Sequence, residues 1–216
     1  MRDYIDLFLK RAAVEILSLR SAIRRGRLVW SVDQVAGDDP PALAVRNYLE
    51  SRLIRSALSD LGAFDRALDF GCGYGRLSMV LQEFARDVYG VEREPQLVSV
   101  ARGLLPSIRF FRVGSLTDLP FADEFFDITL SFTVLQHVPD SVAPAAVEEL
   151  KRVTGTGFIL LVEETEPRVL ATHIGRSVDT YRRWMLPYEL VRCEERRMEP
   201  TYRREKAGHA MLFQLE

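Results

Sequence analysis

The stretch Ala67-Leu-Asp-Phe-Gly71-Cys-Gly73-Tyr-Gly75-Arg-Leu-Ser78 is the most informative part of this sequence. A short apolar run ends at an acid, three glycines follow at every second position, and an amphipathic segment begins at Arg76. Glycine lets the backbone take positive φ or lie directly against a ligand. A helix that starts behind such a turn presents free N–H groups to a ligand. The pattern therefore predicts a strand, a tight turn and a helix that together bind a nucleotide-like cofactor.

The spacing of the glycines bears on which cofactor binds. The dinucleotide fingerprint Gly-x-Gly-x-x-Gly/Ala needs a small third residue so that helix and strand pack closely. Counting from Gly71 and Gly73, that position holds the bulky Arg76, and Gly75 comes one residue earlier. An acid, Glu92, ends the next apolar run about 20 residues past the first glycine, where a ribose-binding carboxylate belongs. A nicotinamide dinucleotide is disfavoured by this spacing, although not excluded by it.

Four short segments follow one another between residues 67 and 162, namely 68–75, 90–95, 113–121 and 125–140. In this order they resemble the first motif, the end of the second strand, the third-strand turn and the fourth strand of the class I S-adenosylmethionine-dependent methyltransferases. The chain departs from that family at Glu92, where Asp is commoner, and at Ser115, where an acid usually lies beside the adenine. A serine hydroxyl can still hydrogen-bond the exocyclic amine of adenine.

The resemblance implies an α/β fold with a doubly wound, Rossmann-like, seven-stranded sheet in the order 3-2-1-4-5-7-6, mostly parallel with the last strand antiparallel. It also implies S-adenosylmethionine as cofactor and in-line methyl transfer to an O, N or C atom of a small-molecule acceptor. We expect a single domain over 1–216, with an N-terminal helical cap over 1–62 and the cofactor-binding core over 63–216. The cofactor-binding residues that the resemblance implies are Asp69, Gly71, Cys72, Gly73, Gly75, Glu92, Arg93, Ser115, Leu116 and Phe132.

The spacing of apolar residues predicts alternating strands and helices from residue 66 onward. Strands are predicted near 66–70, 87–92, 108–113, 125–131 and 156–163, with two further strand-like segments at 188–199 and 209–215. Helices are predicted at 3–25, 42–61, 75–85, 95–104, 143–153 and 178–185. Such alternation is typical of a parallel sheet with right-handed crossovers. Ligands of such sheets bind at the carboxyl ends of the strands.

Several candidate residues have a structural alternative to their functional role. Asp69 either lies beneath the methionine moiety or hydrogen-bonds the loop. His137, just past the fourth predicted strand, is the candidate catalytic base because histidine titrates near neutral pH; the alternative is that it orients this loop. Glu163 and Glu164 end the fifth strand. They are candidates for a base or an acceptor-binding anion, or else are rim acids bonded to the backbone.

The methyl acceptor is expected to bind among aromatic and polar side chains from the N-terminal cap, the loop after the fourth strand and the region after the fifth. Residues 172–178 and 181–185 are expected to form a lid or a wall of this pocket rather than part of the core. The side chains expected near the acceptor are Trp30, Tyr48, His137, His173, Tyr181 and Trp184.

Composition and charge favour a compact enzyme. The 216 residues are 47% hydrophobic, enough for one domain with a full core. A net charge of −2 and the absence of a basic stripe give no reason to expect a nucleic-acid partner. The two cysteines, Cys72 and Cys193, and three scattered histidines favour neither a disulfide framework nor a metal site. No signal-peptide pattern or membrane-spanning stretch is evident, so a cytoplasmic location is expected.

Other functions stay open at this point. The chain would also suit a methyltransferase that acts on nucleic acid or protein, or a non-catalytic cofactor-binding module of the same fold. A basic run behind the first predicted helix either contacts a membrane surface or an anionic partner, or is a solvated face. Its residues are Arg20, Arg24, Arg25 and Arg27.

Overall fold

The computed structural model describes residues 40–169, 173–196 and 208–215. The helix predicted over 3–25, the basic run behind it and Trp30 lie outside the described residues. The helix predicted over 42–61 is confirmed as α1 (Pro40–Leu58). It is followed by Gly62, whose φ is +83°. Because glycine adopts this conformation without strain, Gly62 can turn the chain toward the first strand.

Seven strands form one sheet, and a separate two-stranded hairpin follows its fifth strand. In chain order the strands are β1 (Phe64–Phe70), β2 (Ala85–Glu92), β3 (Arg109–Arg112), β4 (Ile128–Phe132), β5 (Phe158–Glu164), the hairpin strands β6 (Arg168–Val169) and β7 (Ile174–Gly175), β8 (Glu189–Glu195) and β9 (Gly208–Gln214). The order across the sheet is β3-β2-β1-β4-β5-β9-β8. Strand β9 is antiparallel to both its neighbours, and the other pairs are parallel. Counted without the hairpin, this confirms the predicted order 3-2-1-4-5-7-6.

The connecting helices are α2 (Ser78–Leu81), α3 (Pro95–Leu104), α4 (Ala143–Thr154) and α5 (Val178–Met185), with a 3-10 turn at Leu135–His137. The prediction of a helix over 75–85 was wrong in extent, since only α2 is α-helical. Gly75, at φ +85°, cannot belong to a right-handed helix. Further on, the N–H of Phe84 bonds three residues back to Leu81, and its carbonyl accepts from Phe64 at the start of β1. The hydrogen bond between Phe84 and the first strand thus ends the helical segment before a longer helix can form.

Both faces of the sheet are covered, so its central strands are apolar on both sides. Every residue of β4 is buried, as are the last four of β1. One core contains Leu58 of α1 and Val80 of α2, and the other contains Leu150 of α4 and Met185 of α5. Parallel strands covered on both faces have near-continuous apolar sequences, which is why these segments were predictable. No helix in the described part of the chain combines the length and apolar character needed to cross a membrane.

Candidate functional site

The glycine turn follows the carboxyl end of β1, where the strand order of the sheet reverses. Gly71, Gly73 and Gly75 have φ values of +72°, +58° and +85°. The N–H groups of Gly71 and Cys72 both bond to the carbonyl of Val91 in β2, at 2.9 and 3.0 Å. The turn is therefore fixed against the neighbouring strand, in a conformation that favours glycine at three positions.

The three glycines differ in what a side chain would meet. A Cβ on Gly71 would lie 2.5 Å from the side chain of Val134, and one on Gly75 would lie 2.7 Å from the ring of Phe110. A Cβ on Gly73 would meet no atom within 4 Å among the described residues. Gly71 and Gly75 are thus required by packing within the protein, whereas the space beside Gly73 is open to a ligand.

Glu92 ends β2 and places its half-buried carboxylate beside the glycine turn. Its Oε2 accepts the N–H of Gly73 at 3.0 Å, and its Oε1 accepts the N–H groups of Arg93 and Glu94 at 2.7 and 3.0 Å. These three bonds fix the position of the carboxylate. Because two carboxylate oxygens offer about four lone-pair sites, Glu92 retains acceptor capacity for hydroxyl donors of a ligand.

Asp69, near the end of β1, is buried and accepts a hydrogen bond from Ser78 Oγ at 2.5 Å. Burial raises the pKa of Asp69 to about 6, although the bond to Ser78 and the charge of Arg76 act in the opposite direction. The structure thus shows a local hydrogen bond between Asp69 and the first residue of α2. Burial also raises the pKa of the Cys72 thiol, as do the charges of Asp69 and Glu92, so the thiol stays protonated at neutral pH.

The predicted adenine-side residues follow β3, which pairs with β2. Ser115 Oγ lies 2.8 Å from Thr117 Oγ1 and accepts the N–H of Thr117 at 3.1 Å. Leu116 is half-buried and packs against the core, and Arg93 is exposed. Since Arg112, the last residue of β3, pairs with Glu92, the structure brings this turn to the same edge of the sheet as the Glu92 carboxylate.

Glu163 in β5 holds the loop that follows β4. Its Oε1 accepts the N–H groups of Val134 and Leu135, at 3.1 and 3.0 Å, and the hydroxyl of Ser131 at 3.2 Å. Its Oε2 accepts the N–H of Gln136 at 3.0 Å. Burial raises the pKa of this fully buried carboxyl to about 7, against the lowering effect of these bonds. Both oxygens are engaged by the protein, which is the backbone-bonded arrangement given above as the alternative to a base.

His137 closes the 3-10 turn after β4 and is half-buried. Its Nε2 lies 3.3 Å from the side-chain amide of Gln136, and its ring centroid lies 6.3 Å from that of His173. His173 Nε2 lies 2.7 Å from Glu164 Oε2, and both side chains are 2% exposed. The fold therefore brings two histidines and a carboxylate together at the carboxyl ends of β4 and β5.

The segment after the hairpin is buried at Arg176, Tyr181 and Met185 and exposed at 179, 182 and 183. The prediction of a lid or pocket wall rather than core at 172–178 and 181–185 was therefore wrong for the three buried residues, and residue 172 lies outside the described residues. Arg176 is 4% exposed, donates to the carbonyls of Leu135 and Val138 at 2.7 and 2.6 Å, and pairs with Asp140 at 2.7 Å. Tyr181 is fully buried. The two loop carbonyls and Asp140 thus satisfy the buried guanidinium of Arg176. Tyr48, another predicted pocket residue, is largely exposed.

Sequence reasoning missed a buried cluster of charges at this edge of the sheet. Glu50 of α1, 2% exposed, contacts Arg46, Arg76 and Arg196. The guanidinium of Arg196 also lies 4.9 Å from the ring centroid of Phe132. The available signal was the position of the acid, because Glu50 precedes the buried Ile54 by four residues and thus lies on the same helix face.

Comparison with known proteins identifies the family to which the chain belongs. A family model described as a methyltransferase domain matches residues 68–162. The ubiquinone biosynthesis O-methyltransferase of Xanthomonas oryzae pv. oryzae is 32% identical over 176 residues, which cover 75% of this chain and 71% of that protein. The chain belongs to the class I S-adenosylmethionine-dependent methyltransferases. The cofactor of this methyltransferase is S-adenosylmethionine.

Two further relatives show the range of this similarity. The malonyl-[acyl-carrier protein] O-methyltransferase of Serratia marcescens is 28% identical over 144 residues, covering 67% of this chain and 54% of that protein. The N-methyltransferase NodS of Bradyrhizobium japonicum, solved with S-adenosylhomocysteine, shares the fold at a TM-score of 0.64 and 18% identity, covering 82% of this chain and 89% of that one. The chain spans about half the length of several curated relatives that it matches.

The geometry of the glycine turn fits S-adenosylmethionine. The ribose of this cofactor carries two hydroxyl donors, and the Glu92 carboxylate lies where β2 ends with acceptor capacity left. Its amino-acid moiety needs backbone that it can approach closely, and the space beside Gly73 contains no described protein atom within 4 Å of a Cβ position.

Proposed function

We propose that this methyltransferase transfers the methyl group of S-adenosylmethionine to an O, N or C atom of a small-molecule acceptor. The observation that supports it most is the bond between the Glu92 carboxylate and the N–H of Gly73, beside open space. This contact joins the carboxyl ends of β1 and β2, where ligands of such sheets bind. Since the named relatives act on more than one class of acceptor, the small-molecule acceptor is part of the proposal.

Each part of the cofactor has a proposed partner. Glu92 accepts the ribose hydroxyls, the backbone at Gly73 lies against the methionine moiety, and the turn at Ser115 and Leu116 faces the adenine. Asp69 maintains the glycine turn through Ser78. The remaining residues proposed to line the cofactor are Gly71, Cys72, Gly75, Arg93 and Phe132.

The bound cofactor supplies a methyl group already activated by its sulfonium, so the protein needs no nucleophile of its own. The protein must align the acceptor atom and exclude water from a cationic centre. Phe132, 7% exposed at the end of β4, provides apolar surface for this purpose. Glu163 holds the adjacent loop in place through three backbone N–H groups.

The acceptor proton is proposed to go to His137. An imidazole titrates near neutral pH, so it can take a proton from a hydroxyl or an ammonium group. His137 is half-buried on the loop after β4, within 3.3 Å of the Gln136 amide and beside the buried His173–Glu164 pair. The loop that Glu163 fixes therefore determines where this base lies.

Calorimetric titration of the purified protein with S-adenosylmethionine and S-adenosylhomocysteine tests the proposal first. Absence of binding at millimolar cofactor contradicts it. An untargeted search for methyl transfer to cell-extract metabolites, read by mass spectrometry, then tests the acceptor class. Transfer RNA and duplex DNA are included as separate acceptors, and methylation confined to them overturns the small-molecule part. Cofactor binding without transfer to any acceptor supports a non-catalytic module instead.

A further inference from the structure

A buried group of arginines surrounds a single carboxylate at the rim of the sheet. We call this group, Arg46, Arg76 and Arg196 with Glu50, the arginine cluster. Arg76 Nη2 lies 2.6 Å from Glu50 Oε2, Arg46 Nε lies 3.2 Å from Oε1, and Arg196 Nη2 also contacts Oε1. Burial alone would raise the pKa of Glu50, but the three arginines outweigh it and lower the pKa to about 2. Glu50 therefore stays ionised and holds the guanidinium groups in place.

The carboxylate of Glu50 does not accept hydrogen bonds from all the arginine donors around it. Arg76 Nη1 and Arg196 Nε are buried and have no hydrogen-bond acceptor in the structure of the described residues. A buried donor without an acceptor is unfavourable, and more so if it is charged. The Arg196 side chain is 9% exposed, while Arg46 and Arg76 each keep 15% of their side chains exposed. The arginine cluster thus holds two unsatisfied cationic donors below the surface, beside arginine side chains that are partly exposed.

The position of the arginine cluster links it to the proposed site of methyl transfer. Arg76 directly follows the glycine turn. Arg196 follows β8, and its backbone N–H bonds to Gly208 at the start of β9. From there its guanidinium reaches back over Phe132, at the end of β4. In the strand order β4 lies directly beside β1, whose carboxyl end is followed by the glycine turn.

We propose that the arginine cluster binds an oxyanion of the methyl acceptor, a carboxylate or a phosphate group. Two-oxygen anions match the forked geometry of guanidinium donors. The carboxylate of the cofactor offers these donors the same chemistry, and the experiments below distinguish the two sources. The contact of Arg196 with Phe132, at the end of β4, favours the acceptor. This inference rests on the proposed function, and it narrows the acceptor to an acidic small molecule.

The wild-type protein provides the first test, by calorimetry in the presence of saturating S-adenosylhomocysteine and at constant ionic strength. Malonate is the carboxylate probe, inorganic phosphate is the phosphate probe, and malonamide is the neutral counterpart of malonate. We expect binding of malonate or phosphate, with the preferred anion identifying the acceptor group, and no binding of malonamide. If neither anion binds better than malonamide, the proposal is overturned.

Arg196→Met provides the second test, with Arg192→Met, in the adjoining strand β8, as its control. Loss of a charge-assisted hydrogen bond should weaken anion binding by about 10- to 150-fold in Arg196→Met. Arg192 pairs with Asp60 instead and should leave the affinity unchanged. Circular dichroism checks that both variants fold. If Arg196→Met does not fold, the wild-type titrations with malonate, phosphate and malonamide decide whether the arginine cluster binds an anion.

The source of the anion is tested with the same variant. If Arg196→Met weakens binding of S-adenosylhomocysteine but not of methylthioadenosine, which lacks the amino-acid moiety, the cluster holds the cofactor and the acceptor proposal is wrong. Failure of the proposed function can be distinguished from failure of the anion-site proposal, because the wild type would then not bind S-adenosylhomocysteine at all. Malonate titrated into the protein alone would still report on the anion site.

Discussion

Gly73 and Gly62 share a backbone conformation but lie in different surroundings. Both have positive φ, +58° and +83°, and a Cβ on either would meet no described atom within 4 Å. Alanine at such a position costs about 1–2 kcal/mol of conformational strain. We expect Gly73→Ala to raise the dissociation constant of S-adenosylhomocysteine at least about tenfold, because its Cβ enters the space proposed for the methionine moiety.

Gly62→Ala is the matched control for this prediction, since it bears the same strain away from the glycine turn. Calorimetry gives the affinity of both variants, and thermal unfolding gives the strain. Equal affinity in both variants would mean that the Gly73 conformation serves the fold alone.

Glu92 is the second residue whose role can be measured directly. Glu92→Ala removes the acceptors proposed for the ribose hydroxyls and should weaken S-adenosylhomocysteine binding by about 10- to 150-fold. The same change leaves the N–H groups of Gly73, Arg93 and Glu94 without their acceptor, so the melting temperature should fall as well.

Glu92→Asp separates the two effects, because it keeps the charge and shortens the side chain by one methylene. It should bind with an affinity close to that of the wild type. Unchanged cofactor affinity in both variants would refute the ribose assignment. The glycine turn and Glu92 were predictable from sequence because a φ requirement and a strand-end acid are local properties, visible within 25 or so residues.

Among the elements, the loop after β4 depends on the buried Glu163 of β5. Burial raises the pKa of this carboxyl from its usual 4.5 to about 7, against the lowering effect of the bonds from Leu135, Gln136 and Val134. A raised pKa means that the folded protein binds the proton more tightly than the unfolded chain. The contribution of Glu163 to stability is therefore present below pH 4.5 and declines as the pH rises through 7, by about 3 kcal/mol in all.

Glu163→Gln should remove this pH dependence. We expect the difference in free energy of unfolding between wild type and variant to shrink by about 3 kcal/mol between pH 4.5 and pH 7.5. Urea denaturation at several pH values measures it. Glu148→Gln, an exposed acid on α4, is the control and should show no such trend. A constant difference across this range would show that Glu163 titrates normally.

The elements differ in how well their sequences predicted them. Strands β1, β2 and β4 were recognisable because their apolar runs are buried on both faces. The hairpin β6–β7 was missed, since two-residue strands leave no periodic pattern. Helix α5 was placed correctly. It was interpreted as a lid or pocket wall, and its basic and aromatic composition did not indicate that tertiary contacts bury Tyr181 fully.

On the scale of the whole molecule, Glu50 connects α1, the glycine turn and the end of β8. Replacing it by glutamine leaves Arg76 and Arg196 buried without their counter-ion, which should cost about 3–5 kcal/mol of stability at pH 7. Because the pKa of Glu50 is lowered to about 2, its contribution is complete above pH 4.5 and is lost as the pH falls through 2. The wild type and Glu50→Gln should thus approach each other in stability in acid.

Glu83→Gln provides the comparison for this experiment. Glu83 forms an ion pair with Arg55 of α1, but both side chains are more than two-fifths exposed. Exposed pairs contribute at most about 1 kcal/mol. Denaturant unfolding at pH 7 should therefore rank Glu50→Gln well below Glu83→Gln, and equal stabilities would show that the buried pairs carry no special weight.

The global arrangement explains why the fold was easier to predict than the arginine cluster. Strand order follows from local alternation together with the resemblance over 67–162. The contact between Arg196 and Glu50 joins residues 146 positions apart, and the partner of Glu50 that lies nearby in sequence, Arg46, does not indicate this contact. Only the folded chain brings the end of β8 over Phe132 and against α1.

The ring of Phe110 has a consequence for how this sequence can change over generations. It lies 2.7 Å from a Cβ position on Gly75 and 2.5 Å from one on Gly90, in two separate segments of the chain. A larger residue at either glycine is excluded while the ring lies there. Descendants of this protein can therefore vary at positions 75 and 90 only once position 110 has become smaller or its ring has moved. Cys72 also restricts position 90, and position 75 carries the further strain of its positive φ.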